Sequence, residues 1–147
     1  MRVMLRLALA FGVGPAIACS QTGQAPREVL VRASDYAFDA PDTLPAGLVA
    51  FGLENTGRVA HEVVIVGLRP EASVAEILRR DKADSTWRHL REPTSGILTA
   101  DSGVRTPGRL LVDLVRGRRY LLLCNFQDSD SAPPHFHLGM MRVITVR

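Results

Sequence analysis

Short apolar runs broken by turn formers dominate this chain from Val29 to its end, and their spacing predicts strands. Val29-Leu30-Val31 is a brief run, and Tyr36 and Phe38 alternate with smaller residues. The stretch DAPDTLPAG, from Asp39 to Gly47, is dense in turn formers. Leu48 to Leu53 reads as the next strand, stopped by Asn55-Thr56-Gly57. His61 to Leu68, HEVVIVGL, is continuous and β-branched, as a core strand is. Strands resume at Leu110 to Val115, at Tyr120 to Cys124 and at Met141 to Val146. The Arg116-Gly117-Arg118 turn predicts that the first two of these form a hairpin.

One segment has the helical period. Ser73 and Glu76 make an S-x-x-E capping box, after which Val74, Ile77 and Leu78 fall on one face. Arg79, Arg80 and Lys82 suit the negative end of that helix. Asp84 to Pro107 reads as a long loop, a lid or excursion, with Trp87, Pro93, Gly96 and Gly103. About seven or eight strands with one inserted helix predict an all-β fold, a β-sandwich of Greek-key type.

The first residues follow a different pattern. Arg2 and Arg6 precede an apolar run from Leu7 that Gly12, Gly14 and Pro15 interrupt. The run is too short to span a bilayer and reads as an export signal over residues 1–18. Ala16-Ile17-Ala18-Cys19 resembles the lipobox of bacterial lipoproteins, in which the cysteine is acylated and becomes the mature N-terminus. The expectation is a protein tethered in the periplasm by a lipid on Cys19, or else secreted as a soluble domain. A polar linker over 19–27 would then lead to one domain over 28–147, long enough to bury a sizeable core.

Charge excludes one class of partner. The formal charge of +3 falls to +1 once Arg2 and Arg6 leave with the signal. The remaining arginines are scattered, with no aromatic interleaving, so nucleic-acid binding is not expected. No nucleophile triad, phosphate loop or catalytic carboxylate pair stands out, and an enzyme is not expected.

Cysteine usage sharpens the picture. Cys19 and Cys124 are the two cysteines of the chain. If Cys19 carries lipid, Cys124 has no disulfide partner in an oxidising compartment. Either it is a buried inert thiol or it is bound to something. Its company favours the second. YLLLCNFQDSDSAPPHFHLGMMRVITV sets Cys124, His135, His137 and Met140 between two strands. Two histidines and a cysteine with a weak axial methionine make a blue-copper electron-transfer site. His61, at the start of a core strand, is the candidate second histidine. His135 and His137 compete for one role, with the spacing to Met140 favouring His135. Met140 shares side-chain parity with Ile144 and Val146 and faces the core, and core filling alone would also explain it. Asp128 and Asp130 read as a solvated polar turn or a site for a hard cation such as calcium. His89 reads as a surface residue.

These pieces, in this order, resemble the cupredoxins, the superfamily of plastocyanin and azurin. Tyr120-x-x-x-Cys124 resembles the plastocyanin strand leading to its cysteine ligand, and His135-x4-Met140 resembles its histidine-to-methionine spacing. Met140, Ile144, Thr145 and Val146 resemble its last strand, and Asn55-x-Gly57 the turn before its first histidine. The resemblance runs from about Val29 to the end, with the region from Pro70 to Thr106 outside the pattern. It implies one copper ion on His61, Cys124, Met140 and His135 (or His137), and an exchange of electrons with a redox partner protein. Copper storage or delivery by the same ligands, and a metal-free binding module of the same shape, are the other readings. Two departures stand out. Ten residues separate Cys124 from His135, a gap much longer than in plastocyanin or azurin. Glu62 stands where plastocyanin has an asparagine that helps tie down the cysteine loop, and an ionised glutamate can only accept hydrogen bonds.

Overall fold

The computed structural model describes residues 25–84 and 86–147, so the export signal and Cys19 lie outside the described residues. The strands are β1 (Arg27–Ser34), β2 (Ala37–Asp39), β3 (Thr43–Leu44), β4 (Gly47–Asn55), β5 (His61–Leu68), β6 (Arg91–Ala100), β7 (Leu110–Leu114), β8 (Arg119–Leu123) and β9 (Met141–Val146). One helix, α1 (Val74–Asp84), and two 3-10 turns, Thr86–Leu90 and His135–Leu138, complete the described elements. Four strands form one sheet in the order β2-β1-β4-β7, and five form the other in the order β3-β9-β8-β5-β6. Both are mixed: β1 runs parallel to β4 and β3 parallel to β9, and every other pair is antiparallel.

The two sheets close on one apolar core. Val31, Phe51, Leu53 and Leu114 come from the first, and Val63, Ile65, Leu122 and Ile144 from the second. This is the all-β sandwich that the apolar alternation predicts. The outer face of the five-stranded sheet has a second cluster, in which Val64, Val66, Leu121 and Leu123 meet Ile77 of α1, Leu90 and Phe136. Strand β5 is therefore buried at all eight positions, which accounts for its unbroken apolar run.

Ser73 caps α1 as expected, its Oγ accepting the Glu76 amide at 3.2 Å. The reciprocal half of the box is replaced, because the Glu76 carboxylate accepts from Arg79 and Arg80 instead. No helix among the described residues is long and apolar enough to cross a membrane.

Two expectations are corrected. The segment read as a loop from Asp84 to Pro107 contains β6, which pairs with β5 from His61↔Ala100 to Leu68↔Arg91 through two irregularities. As an edge strand with mostly exposed or half-exposed side chains, β6 needs no apolar alternation, and Pro93 and Gly96 are tolerated there. The predicted hairpin of Leu110–Val115 with Tyr120–Cys124 does not form. β7 pairs with β4, whereas β8 lies between β9 and β5 in the other sheet. Burial explains the split. β7 alternates and tolerates a sheet edge, while β8 is buried at four of its five positions and needs cover on both faces.

Candidate metal centre

Side-chain parity delivers three donors to one end of the sandwich. His61 opens β5 on the same face as Val63 and Ile65, and Cys124 follows β8 on the face of Leu122. His135 enters from the 3-10 turn that precedes β9. The Nδ1 atoms of His61 and His135 are 3.2 Å apart, and Cys124 Sγ lies 4.0 Å from the first and 3.5 Å from the second. All three residues are at most 1 % exposed, and Cys124 is a free thiol.

The backbone around them is fixed at several points. Asn55, buried, accepts the Gly57 amide and donates to the carbonyls of Val59 and Ala100, which shapes the turn into His61. Gly57 must be glycine there: a Cβ would lie 2.5 Å from Asp35 Oδ1 and 2.9 Å from His61 Nε2. The Cys124 amide donates to the Met140 carbonyl (3.3 Å), and the Met140 amide to the His135 carbonyl (3.1 Å). Gly139, at φ 108°, makes the left-handed turn that brings the chain from the 3-10 turn to Met140. Met140 is fully buried in the core that contains Cys124.

The long Cys124-to-His135 gap is a surface excursion closed at its neck. The His135 amide donates to the Phe126 carbonyl (2.8 Å) and the Phe136 amide to the Cys124 carbonyl (2.9 Å). Added length thus leaves the donor positions unaffected. Glu62 ties this loop with the opposite polarity to an amide: its Oε1 accepts from both the backbone (3.0 Å) and the side chain (2.9 Å) of Asn125. The Glu62 backbone amide in turn donates to Cys124 Sγ at 3.4 Å.

The outer edge of one imidazole meets a carboxylate; that of the other does not. His135 Nε2 lies 3.0 Å from Asp128 Oδ1, and the other Asp128 oxygen accepts from the Tyr36 hydroxyl. Asp35 Oδ1 is 3.7 Å from His61 Nε2, beyond hydrogen-bond reach, and Asp35 is committed to the amide and guanidinium of Arg58. His137, the alternative to His135, points elsewhere. Its Nε2 lies 2.7 Å from Asp81 of α1, an oxygen pair that also takes the Trp87 indole. Asp128 turns its two oxygens to Tyr36 and His135. His89 is exposed, as its solitary position in the sequence suggests. Asp35, Tyr36 and Asp128 escape sequence reading: the Tyr36–Asp128 contact spans 92 residues, and no local pattern announces it.

Burial sets the electrostatics. It pushes the Cys124 thiol above its ordinary value, an effect the Glu62 and Phe126 amides oppose. It holds His61 below its ordinary value, and the neighbouring His135 adds to this. A neutral thiol and a neutral imidazole with apposed nitrogen donors are what a cation would meet.

The donor set fits a small metal site of two nitrogens and one sulfur. Bonds of about 2.0–2.1 Å to nitrogen and about 2.3 Å to sulfur, at angles of roughly 110–120°, separate donors by roughly 3.3–3.8 Å. The three observed separations of 3.2, 3.5 and 4.0 Å bracket that range. Soft sulfur with two imidazoles suits copper or zinc above hard cations.

Most of the chain has counterparts among solved structures. An auracyanin from the photosynthetic bacterium Roseiflexus castenholzii superposes over 84 % of this chain and 98 % of its own, with a TM-score of 0.56 at 20 % identity. The fold is that of the cupredoxins. Auracyanin A of Chloroflexus aurantiacus, described as a "blue" copper protein, aligns over 83 % of this chain and 99 % of its own (TM-score 0.52, 19 % identity). An azurin from the methylotroph Methylomonas sp. strain J aligns over 84 % and 99 % (TM-score 0.51, 15 % identity). Scans of family models and of curated proteins return no match. The cupredoxin likeness thus rests on shape, at identities of 15–20 %.

Proposed function

We propose that this chain binds one copper ion through His61 Nδ1, Cys124 Sγ and His135 Nδ1, with Met140 as a weaker fourth donor, and works as an electron carrier. The observation that carries the reading is the convergence of three buried donors, two of them nitrogens 3.2 Å apart. Copper, when bound, supplies reversible one-electron exchange. The chain's own residues do the rest: the Glu62 and Phe126 amides stabilise a thiolate, and the core around Cys124 and Met140 excludes water.

Burial favours a carrier over a delivery protein or a catalyst. Donors at most 1 % exposed give neither a recipient site nor a substrate a route to the metal, whereas electron passage needs none. The likeness to a blue copper protein agrees with this reading. The leader sequence supports export, with Cys19 as the lipid anchor; two or more acyl chains give stable tethering where one is marginal. Mass spectrometry of the mature N-terminus tests that part, and an unmodified start at Met1 would overturn it.

Reconstitution with Cu(II) tests the site. The expected result is an intense thiolate-to-copper absorption band, abolished by Cys124→Ser. Met140→Leu should keep the band and raise the reduction potential. Wild-type protein with no band and no tight copper in either redox state would overturn the proposal.

A further inference from the structure

We propose that Asp128, held in place by Tyr36, is the positioning residue of His135: it fixes hydrogen on Nε2 and turns the Nδ1 lone pair toward Cys124 and His61. The inference rests on the copper reading above, but its central element is measurable without copper.

The argument starts from tautomers. A neutral imidazole carries one hydrogen, and the partner at one nitrogen decides which atom holds it. Asp128 Oδ1 lies 3.0 Å from His135 Nε2 and can only accept while ionised. Its other oxygen accepts from the Tyr36 hydroxyl, which holds the carboxylate against the ring. Nε2 then donates, which leaves the Nδ1 lone pair to accept, 3.5 Å from Cys124 Sγ and 3.2 Å from His61 Nδ1. The ring has little freedom to turn, being 1 % exposed with the Tyr36 ring edge-on at 5.0 Å.

Tyr36 is placed at a cost. It is the one non-glycine residue at positive φ among those described (63°), a region disfavoured for an aromatic side chain. It occupies the two-residue turn between β1 and β2, where glycine or asparagine would sit without strain. The strained turn delivers its hydroxyl to Asp128 and its ring to His135. The excursion between Cys124 and His135 has a matching purpose, since it carries Asp128 out and back to the far edge of the histidine. A carboxylate bound to a metal-ligating histidine raises the ligand's basicity and locks its orientation. It also leaves a fixed negative charge one imidazole away from the metal, which favours the more highly charged oxidation state.

The test uses the mature protein and the variants Asp128→Ala, Asp128→Asn and Tyr36→Phe. Long-range 1H–15N correlation on the copper-free protein reads the His135 tautomer. Wild type should show hydrogen on Nε2, Asp128→Ala a mixture, and Asp128→Asn, whose amide oxygen still accepts, the wild-type state. Copper affinity by chelator competition should fall about 10- to 100-fold in Asp128→Ala and much less in Asp128→Asn. The reduction potential should rise in both, because both remove the charge. Tyr36→Phe should lie between wild type and Asp128→Ala. Hydrogen on Nδ1 in the wild-type apo-protein, or an Asp128→Ala variant with unchanged tautomer, affinity and potential, would overturn the inference. If the wild type takes up no copper, the copper reading fails, and the apo-protein tautomer still decides the positioning role.

Discussion

Replacing Glu62 by alanine removes the tie between the start of β5 and the loop that follows Cys124. The carboxylate, buried at 7 % exposure, accepts two hydrogen bonds from Asn125, at 3.0 and 2.9 Å. Hydrogen bonds to charged groups contribute about 1.5–3 kcal/mol each. Asn125 is exposed, so water recovers part of the loss, and a total near the lower end, about 2–3 kcal/mol, is expected for Glu62→Ala. Unfolding entropy of about 2.1 cal/mol/K per residue over roughly 120 residues gives about 0.25 kcal/mol/K, hence a Tm lower by roughly 8–12 °C. Glu62→Gln keeps an accepting oxygen and should lose about 1 kcal/mol, roughly 4 °C. Scanning calorimetry of the copper-free protein measures both. Asn125→Ala removes one of the two donors, so its effect should not add to that of Glu62→Ala. A Glu62→Ala variant melting within about 2 °C of wild type, or full additivity in the double variant, would show that the tie contributes nothing.

Gly57→Ala forces a Cβ to within 2.5 Å of Asp35 Oδ1 and 2.9 Å of His61 Nε2. It should destabilise by about 1–3 kcal/mol and shift the copper absorption band, as read by denaturant unfolding and visible spectroscopy. His137→Ala should keep copper affinity, because His137 faces Asp81, and should lower the protection of α1 from proteolysis; His135→Ala should lose most of the affinity. Glu76, held at about 2 chiefly by Arg79 and then Arg80, has a folded pKa below its unfolded one. Its contribution to the stability of α1 itself, through pairs within the helix, is thus fully present above the ordinary value of 4.5 and lost as pH falls through about 2. Native-state exchange of the α1 amides should show that acid-dependent loss, and Glu76→Gln should remove it.

Local pattern made much of this protein legible. Period-two parity places Met140 on the core face of the last strand with Ile144 and Val146 before any partner is known, since adjacent residues of a strand point to opposite sides. The Ser73 cap, the turn at Asn55–Gly57 and the Met140 face follow from neighbours within four residues. Strand partners do not follow in this way. β7 and β8 adjoin a tight turn, yet join different sheets, because burial on both faces of β8 demands a central position. β6 lacked an apolar signature because an edge strand is stabilised by backbone pairing with β5 and leaves its side chains to water.

The sequence by itself determined the all-β class, the core face of the last strand and a short set of sulfur and imidazole donors. Tertiary structure alone decided which histidine meets Cys124, because His135 and His137 are two residues apart and only the docking of α1 through Asp81 takes His137 away. It also decided that Asp128, a turn residue by pattern, closes on His135 and on Tyr36 across 92 residues. Such contacts depend on where whole strands come to lie in space, and no periodicity within a single segment encodes that.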